Sequence, residues 1–148
     1  MGTDSFVKEL CDLAFENTFN PYTERCEVHD VYDAPRKRSV LLKKMLCAAY
    51  KTDVDSLWIG RDLGYRGGRR TGLALTDDVH LYHHAARWGI EVSRLTKGKV
   101  VPERTAAVIW NVLEQITCPI FLWNVFPLHP YEAGAPFVSF PVKWTVQK

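Results

Sequence analysis

The sequence predicts an α/β domain, a three-layer α/β/α arrangement around a short parallel sheet. Three observations carry that prediction. Two short apolar runs, Leu57-Trp58-Ile59 and Ile120-Phe121-Leu122-Trp123, read as buried strands. Two helical patterns lie between them, the kind of long crossover that parallel strands require. The first run gives way at once to Gly60–Gly72, where five glycines in thirteen residues imply a backbone that turns sharply or approaches something closely. In open parallel sheets, ligands sit at the carboxyl ends of the strands. Function is therefore expected in Gly60–Gly72 and Asn124–Tyr131.

The elements follow in order. Phe6, Leu10, Leu13 and Ala14 recur at helical spacing behind a capping residue at Thr3 or Asp4, and Asn20-Pro21-Tyr22 ends that helix. Thr23–Pro35 is polar and irregular. Pro35 opens a second helix with Leu41, Leu42, Met45, Leu46 and Ala49 on one side, closed by Asp53–Asp55. After the glycine loop, Thr76 caps a third helix that runs to Trp88 and stops at Gly89. Pro102-Glu103 starts a fourth, burying Ala106, Ile109, Trp110, Leu113 and Ile116, and Cys118-Pro119 breaks it before the second strand.

Composition bounds the class. With 148 residues, 47% hydrophobic and 24% charged, the chain is expected to form a single domain over 1–148 with a real core. It has no long apolar run and no basic-then-apolar leader after Met1-Gly2-Thr3-Asp4-Ser5, so a cytoplasmic, non-membrane monomer is expected. Cys11, Cys26, Cys47 and Cys118 form no Cys-x-x-Cys pair, so they read as buried free thiols rather than metal ligands. His80, His83 and His84 read as surface or interfacial histidines, and no metal site is expected.

A formal charge of +2 argues for no particular partner, but its distribution is uneven. Arg61, Arg66, Arg69 and Arg70 share ten residues with a single acid, Asp62. Such a local positive field attracts phosphates. The cluster Arg36, Lys37, Arg38, Lys43 and Lys44 reads as a solvated helix face.

The glycine loop is not Gly-x-Gly-x-x-Gly and lacks a Gly-Lys-Ser/Thr ending, which weakens dinucleotide and ATP readings. Its Asp62 stands just past the strand among guanidinium groups. A carboxylate placed there suits holding a water or an incipient cation, the alternative being a structural loop aspartate. Asn124 follows the second strand, and its amide offers both a donor and an acceptor to a base edge. Phe126 and Tyr131 offer flat stacking surfaces. The alternative is a turn asparagine before prolines.

These two segments, Leu57–Gly72 and Pro119–Pro130, resemble the active-site segments of the uracil-DNA glycosylase superfamily. There the first strand ends in Gly-x-Asp-Pro-Tyr or a related loop, which Gly60-Arg61-Asp62-Leu63-Gly64 matches with Leu63 at the proline position. The run Gly64-Tyr65-Arg66-Gly67-Gly68-Arg69-Arg70-Thr71-Gly72 is similar to a branch with a Gly-Tyr-Arg-Gly-x-Arg-Arg-Thr-Gly loop. The likeness spans roughly residues 40–135.

The resemblance implies hydrolysis of the N-glycosidic bond of uracil or a related damaged base in DNA, with no cofactor. Asp62 would be catalytic, Asn124, Tyr65 and Phe126 would bind the base, and Arg66, Arg69, Arg70 and Thr71 would hold DNA phosphates. Two departures stand out. Leu73-Ala74-Leu75 replaces the expected stacking phenylalanine. The tail Phe137–Lys148 carries no His-Pro-Ser-type segment, and His129-Pro130 follows the Asn124 strand too closely to substitute. A domain shortened at its C-terminal end, lacking the last strand and loop, is the expectation. Its rivals are a non-catalytic nucleic-acid-binding remnant of the fold and an enzyme acting on a phosphorylated, nucleotide-like ligand. The loop arginines have an alternative use, pairing with Asp77, Asp78 or Glu103 inside the fold.

Overall fold

The computed structural model describes residues 1–136. The tail on which the expectation of a shortened C-terminus rests lies outside the described residues. In chain order the elements are α1 (Thr3–Asp12), β1 (Thr18–Phe19), α2 (Ala34–Tyr50), β2 (Ser56–Asp62), α3 (Gly68–Thr71), α4 (Leu81–Arg87), α5 (Arg104–Leu113), β3 (Ile120–Phe126) and β4 (His129–Pro130).

The two apolar runs pair as parallel strands, with Ser56 opposite Ile120, Trp58 opposite Leu122 and Gly60 opposite Asn124. A small antiparallel pair, β1 with β4, lies beside them. Side chains alternate across a strand, so helices can cover the parallel pair from two sides. On one face Ile120, Leu122 and Trp58 meet Ala106, Trp110 and Leu113 of α5. On the other, Phe121 joins Leu41 and Met45 of α2 and Leu81 and Ala85 of α4, while Trp123 packs with Val7 and Leu10 of α1. Each large side chain buried this way contributes about 1.5–3 kcal/mol. The class is α/β. No helix among the described residues is long and apolar enough to cross a membrane.

Several elements differ from the expectation. Leu57 and Ile59 are not buried, being 53% and 56% exposed. The α1 and α2 layer lies over β3, leaving that side of β2 open among the described residues. Helix α1 stops at Asp12, with Leu13 as an extended, exposed C-cap. The amide of Asn20 then donates to the carbonyls of Leu10 and Leu13, so this helix end is closed by a residue of the following turn. Thr76 does not cap a helix either. Its hydroxyl is spent on Ala74 and His84, and α4 begins only at Leu81.

Two residues expected at the surface are interior. His84 is buried, and burial, joined by the charge of Arg87, pushes its pKa down to about 3. Arg38, read as part of a solvated basic face, is fully buried and ion-paired with Asp30. The four cysteines are free thiols, but of the four expected to be buried only Cys26 is, while Cys11, Cys47 and Cys118 are half-buried.

Candidate functional site

The parallel register brings the two segments together. Gly60 lies directly across from Asn124, and Asp62 across from Phe126, at the carboxyl ends of β2 and β3. Beyond the strands the chain is stitched twice: the Leu63 N–H donates to the Leu128 carbonyl at 3.1 Å, and His129 Nδ1–H donates to the Leu63 carbonyl at 2.8 Å. His129 is wholly buried, and burial holds its pKa below the usual histidine value. It is a neutral strut here. In the sequence it stood out only as His129-Pro130, too close behind the Asn124 strand to serve as a His-Pro-Ser-type segment.

Asn124 is 2% exposed, yet neither amide atom, Oδ1 nor Nδ2, has a hydrogen-bond partner. A buried carboxamide left unsatisfied costs about 1–3 kcal/mol, so natural folds rarely keep one without a use. Gly60 makes room for it, because a β-carbon there would collide with Asn124 Oδ1. Asn124 also lines a cavity of about 10 Å³, shared with Tyr22, Leu63, Leu73, Trp123 and Pro127 among others. That is room for about one water. Neither Tyr65 nor Phe126 lines it; Phe126 packs on Phe15, and Tyr65 lies near His29.

Asp62 closes β2 with its side chain 11% exposed, accepting a hydrogen bond from Arg61 Nε at 2.5 Å. Leu75 stands close by. Its φ is +54°, uncommon for a bulky residue, and its carbonyl accepts the Trp110 indole N–H at 3.1 Å. The Leu75 side chain abuts the space above Gly60 beside the Asn124 amide.

The glycine loop is built from inside. Gly72 ends α3 with φ +72°, and a β-carbon there would stand 2.9 Å from Arg38 Cβ. Arg38 donates to the carbonyls of Arg70 and Pro21, both at 3.0 Å, and Tyr22 donates its hydroxyl to the Gly72 carbonyl at 2.8 Å.

The predicted phosphate ligands divide accordingly. Arg66 is exposed. Arg70 is buried and held by Asp78 at 2.7–2.8 Å, as the alternative reading had it. Thr71 is buried and donates to the Thr76 carbonyl at 2.8 Å. Arg69 is buried with its guanidinium 4.3 Å from the Phe19 ring centre. Arg70 and Thr71 therefore shape the loop rather than present themselves to a ligand.

Glu103, at the start of α5, was seen in the sequence only as a helix opener and a partner for arginines. Its carboxyl instead rests against Gly64 and Gly67. Burial, then the charges of Asp77 and Asp62, raise its pKa above the usual carboxylate value. Among the described residues no group of histidine, cysteine and carboxylate side chains is placed to hold a metal ion.

No protein-family model, curated protein or solved structure matches the chain.

Proposed function

We propose that this chain is a glycosylase-like protein that engages DNA and hydrolyses the N-glycosidic bond of uracil or a related damaged base, on a domain similar to the uracil-DNA glycosylases. The observation that carries this reading is the buried, unsatisfied amide of Asn124 near the carboxyl end of β3, with Gly60 facing it and Asp62 closing the neighbouring strand. Such an amide matches a pyrimidine edge: Nδ2–H donates to a base carbonyl, and Oδ1 accepts a ring N–H. Asp62 stabilises the positive charge that builds on the sugar as the C1′–N bond breaks and the base leaves with the electron pair. It also orients the water that adds to C1′, a preorganised electrostatic role. The base must first leave the helical stack, at a cost of a few kcal/mol. Arg66 supplies a phosphate contact, which positions the strand without reading it.

The size of the cavity favours a second reading. At about 10 Å³ it is far smaller than a base, so entry requires its lining to move. If that movement does not occur, the chain binds nucleic acid without excising. Incubation with uracil-containing single- and double-stranded oligonucleotides, read as alkali-sensitive abasic sites, separates the two. Abasic sites made by the wild type and lost in Asp62→Ala support excision. DNA binding without abasic sites supports the second reading.

A further inference from the structure

The glycine loop reads in sequence as a seat for phosphate, yet it already holds an anion from the protein itself. An ideal β-carbon at Gly64 would lie 2.6 Å from Glu103 Oε2, 3.2 Å from Cδ and 3.4 Å from Oε1. At Gly67 it would meet the same three atoms still more closely, with Cδ at 2.7 Å and Oε1 at 3.0 Å. The two glycines thus form a recess that the carboxyl fills and that any side chain would close. Glu103 is fixed at the head of α5, its own N–H donating to Asp77 Oδ2 at 2.7 Å. The other oxygen of Asp77 is taken by the backbone N–H and ring of His80, at 2.9 and 2.6 Å. Arg66 projects from the turn between the two glycines and is exposed.

We propose that the Glu103 carboxylate is a built-in anion that occupies the Gly64–Gly67 turn and competes with a phosphodiester of bound nucleic acid for it. This rests on the reading of the loop as a DNA contact and adds a regulatory element to it. A phosphate approaching Arg66 meets the like charge of Glu103, and binding requires that the carboxyl withdraw or take up a proton. Both routes weaken binding at neutral pH. The charged groups that act on Glu103 are Asp77, before α4, and Asp62, on β2; Arg66 lies between the two glycines in the chain, and Arg104 follows Glu103 on α5. Burial, and then the two aspartates, favour the protonated carboxyl. Acidification therefore discharges Glu103, and affinity for phosphodiesters rises.

The test is binding of a fluorescent single-stranded oligonucleotide to the full chain, measured from neutral to mildly acidic pH for wild type, Glu103→Gln and Glu103→Asp. Glu103→Gln keeps the shape and removes the charge. It should bind about fivefold more tightly at neutral pH, the order expected from removing one like charge from a binding site in water, with a flatter pH profile than wild type. Glu103→Asp keeps the charge and should retain the wild-type rise on acidification, which separates charge from loosened packing. Melting curves accompany each variant. Equal affinity and equal pH profiles for wild type and Glu103→Gln would overturn the competing-anion role while leaving the DNA reading intact. Binding by none of the three proteins would overturn both.

Discussion

Gly60 and Asn124 face each other across the parallel β2–β3 pair, and the absence of a β-carbon on the first is what allows the amide of the second to sit buried where it does. Gly60→Ala puts a methyl into Asn124 Oδ1 and within 3.0 Å of Leu75 Cδ2. Overpacking of this kind costs about 1–3 kcal/mol. The substitution should lower the melting temperature and abolish base excision together, measured by thermal denaturation beside an abasic-site assay. An unchanged melting temperature would show that the strands part at no cost and that the pairing is not tight.

Two arginines four residues apart should behave in opposite ways. Arg66→Ala removes an exposed cation, so it should leave the melting temperature unchanged and flatten the plot of log affinity against log salt by about one unit. Arg70→Ala strands the buried Asp78 carboxylate, which costs about 3–5 kcal/mol. Denaturant unfolding and binding titrations at several salt concentrations distinguish them. A stable Arg70→Ala with a flattened salt slope would return Arg70 to the ligand-facing surface.

Asp62→Asn should lower excision by at least about tenfold, a little over 1 kcal/mol of transition-state stabilisation, with DNA affinity nearly unchanged. The side chain closes β2 beside the site and accepts its hydrogen bond from Arg61, and asparagine keeps its size and an accepting oxygen, so the substitution should not unfold the protein. Single-turnover rates beside binding isotherms provide the check; equal rates would remove Asp62 from the chemistry.

His84 predicts a pH dependence of stability. Buried and bonded to Thr76 at 2.7 Å, it stays neutral in the fold down to about pH 3. The same side chain in the unfolded chain takes up a proton near its ordinary value, about 6.5. Between those values the unfolded state binds more protons, so stability is lost as pH falls from about 6.5 toward about 3. His84→Gln should show a shallower acid-side decline in melting temperature than wild type. Parallel declines would place the acid sensitivity in other groups.

The parallel pair, its crossover helices and the closeness of Asp62 and Asn124 to the carboxyl ends of the strands were legible in the sequence because they rest on local signals, although Asn124, read as just past its strand, lies within β3. Apolar runs, helical spacing and glycines report on backbone geometry near themselves. The fates of the charged groups were not legible. Whether Arg66 or Arg70 meets solvent depends on Asp78, and the burial of Arg38 depends on Asp30 and on carbonyls of Pro21 and Arg70. These are contacts that no sequence period encodes. The sequence offered Glu103 as a helix opener and a partner for arginines, but not its seat against Gly64 and Gly67, which lie more than thirty-five residues earlier in the chain. The exposure of Leu57 and Ile59 was hidden because an apolar run does not say which neighbours will cover it.

The central claim is that Asn124 is kept buried and unsatisfied because it reads a base, and one paired measurement tests it most directly. Asn124→Leu replaces the amide with an apolar group of similar size, removing two unmet hydrogen-bonding atoms from the interior. Abasic-site formation on a uracil-containing oligonucleotide should then fall to background while the melting temperature holds or rises. Excision by Asn124→Leu at the wild-type rate, or a large loss of stability with no excision by either protein, would contradict the claim and make Asn124 a structural residue.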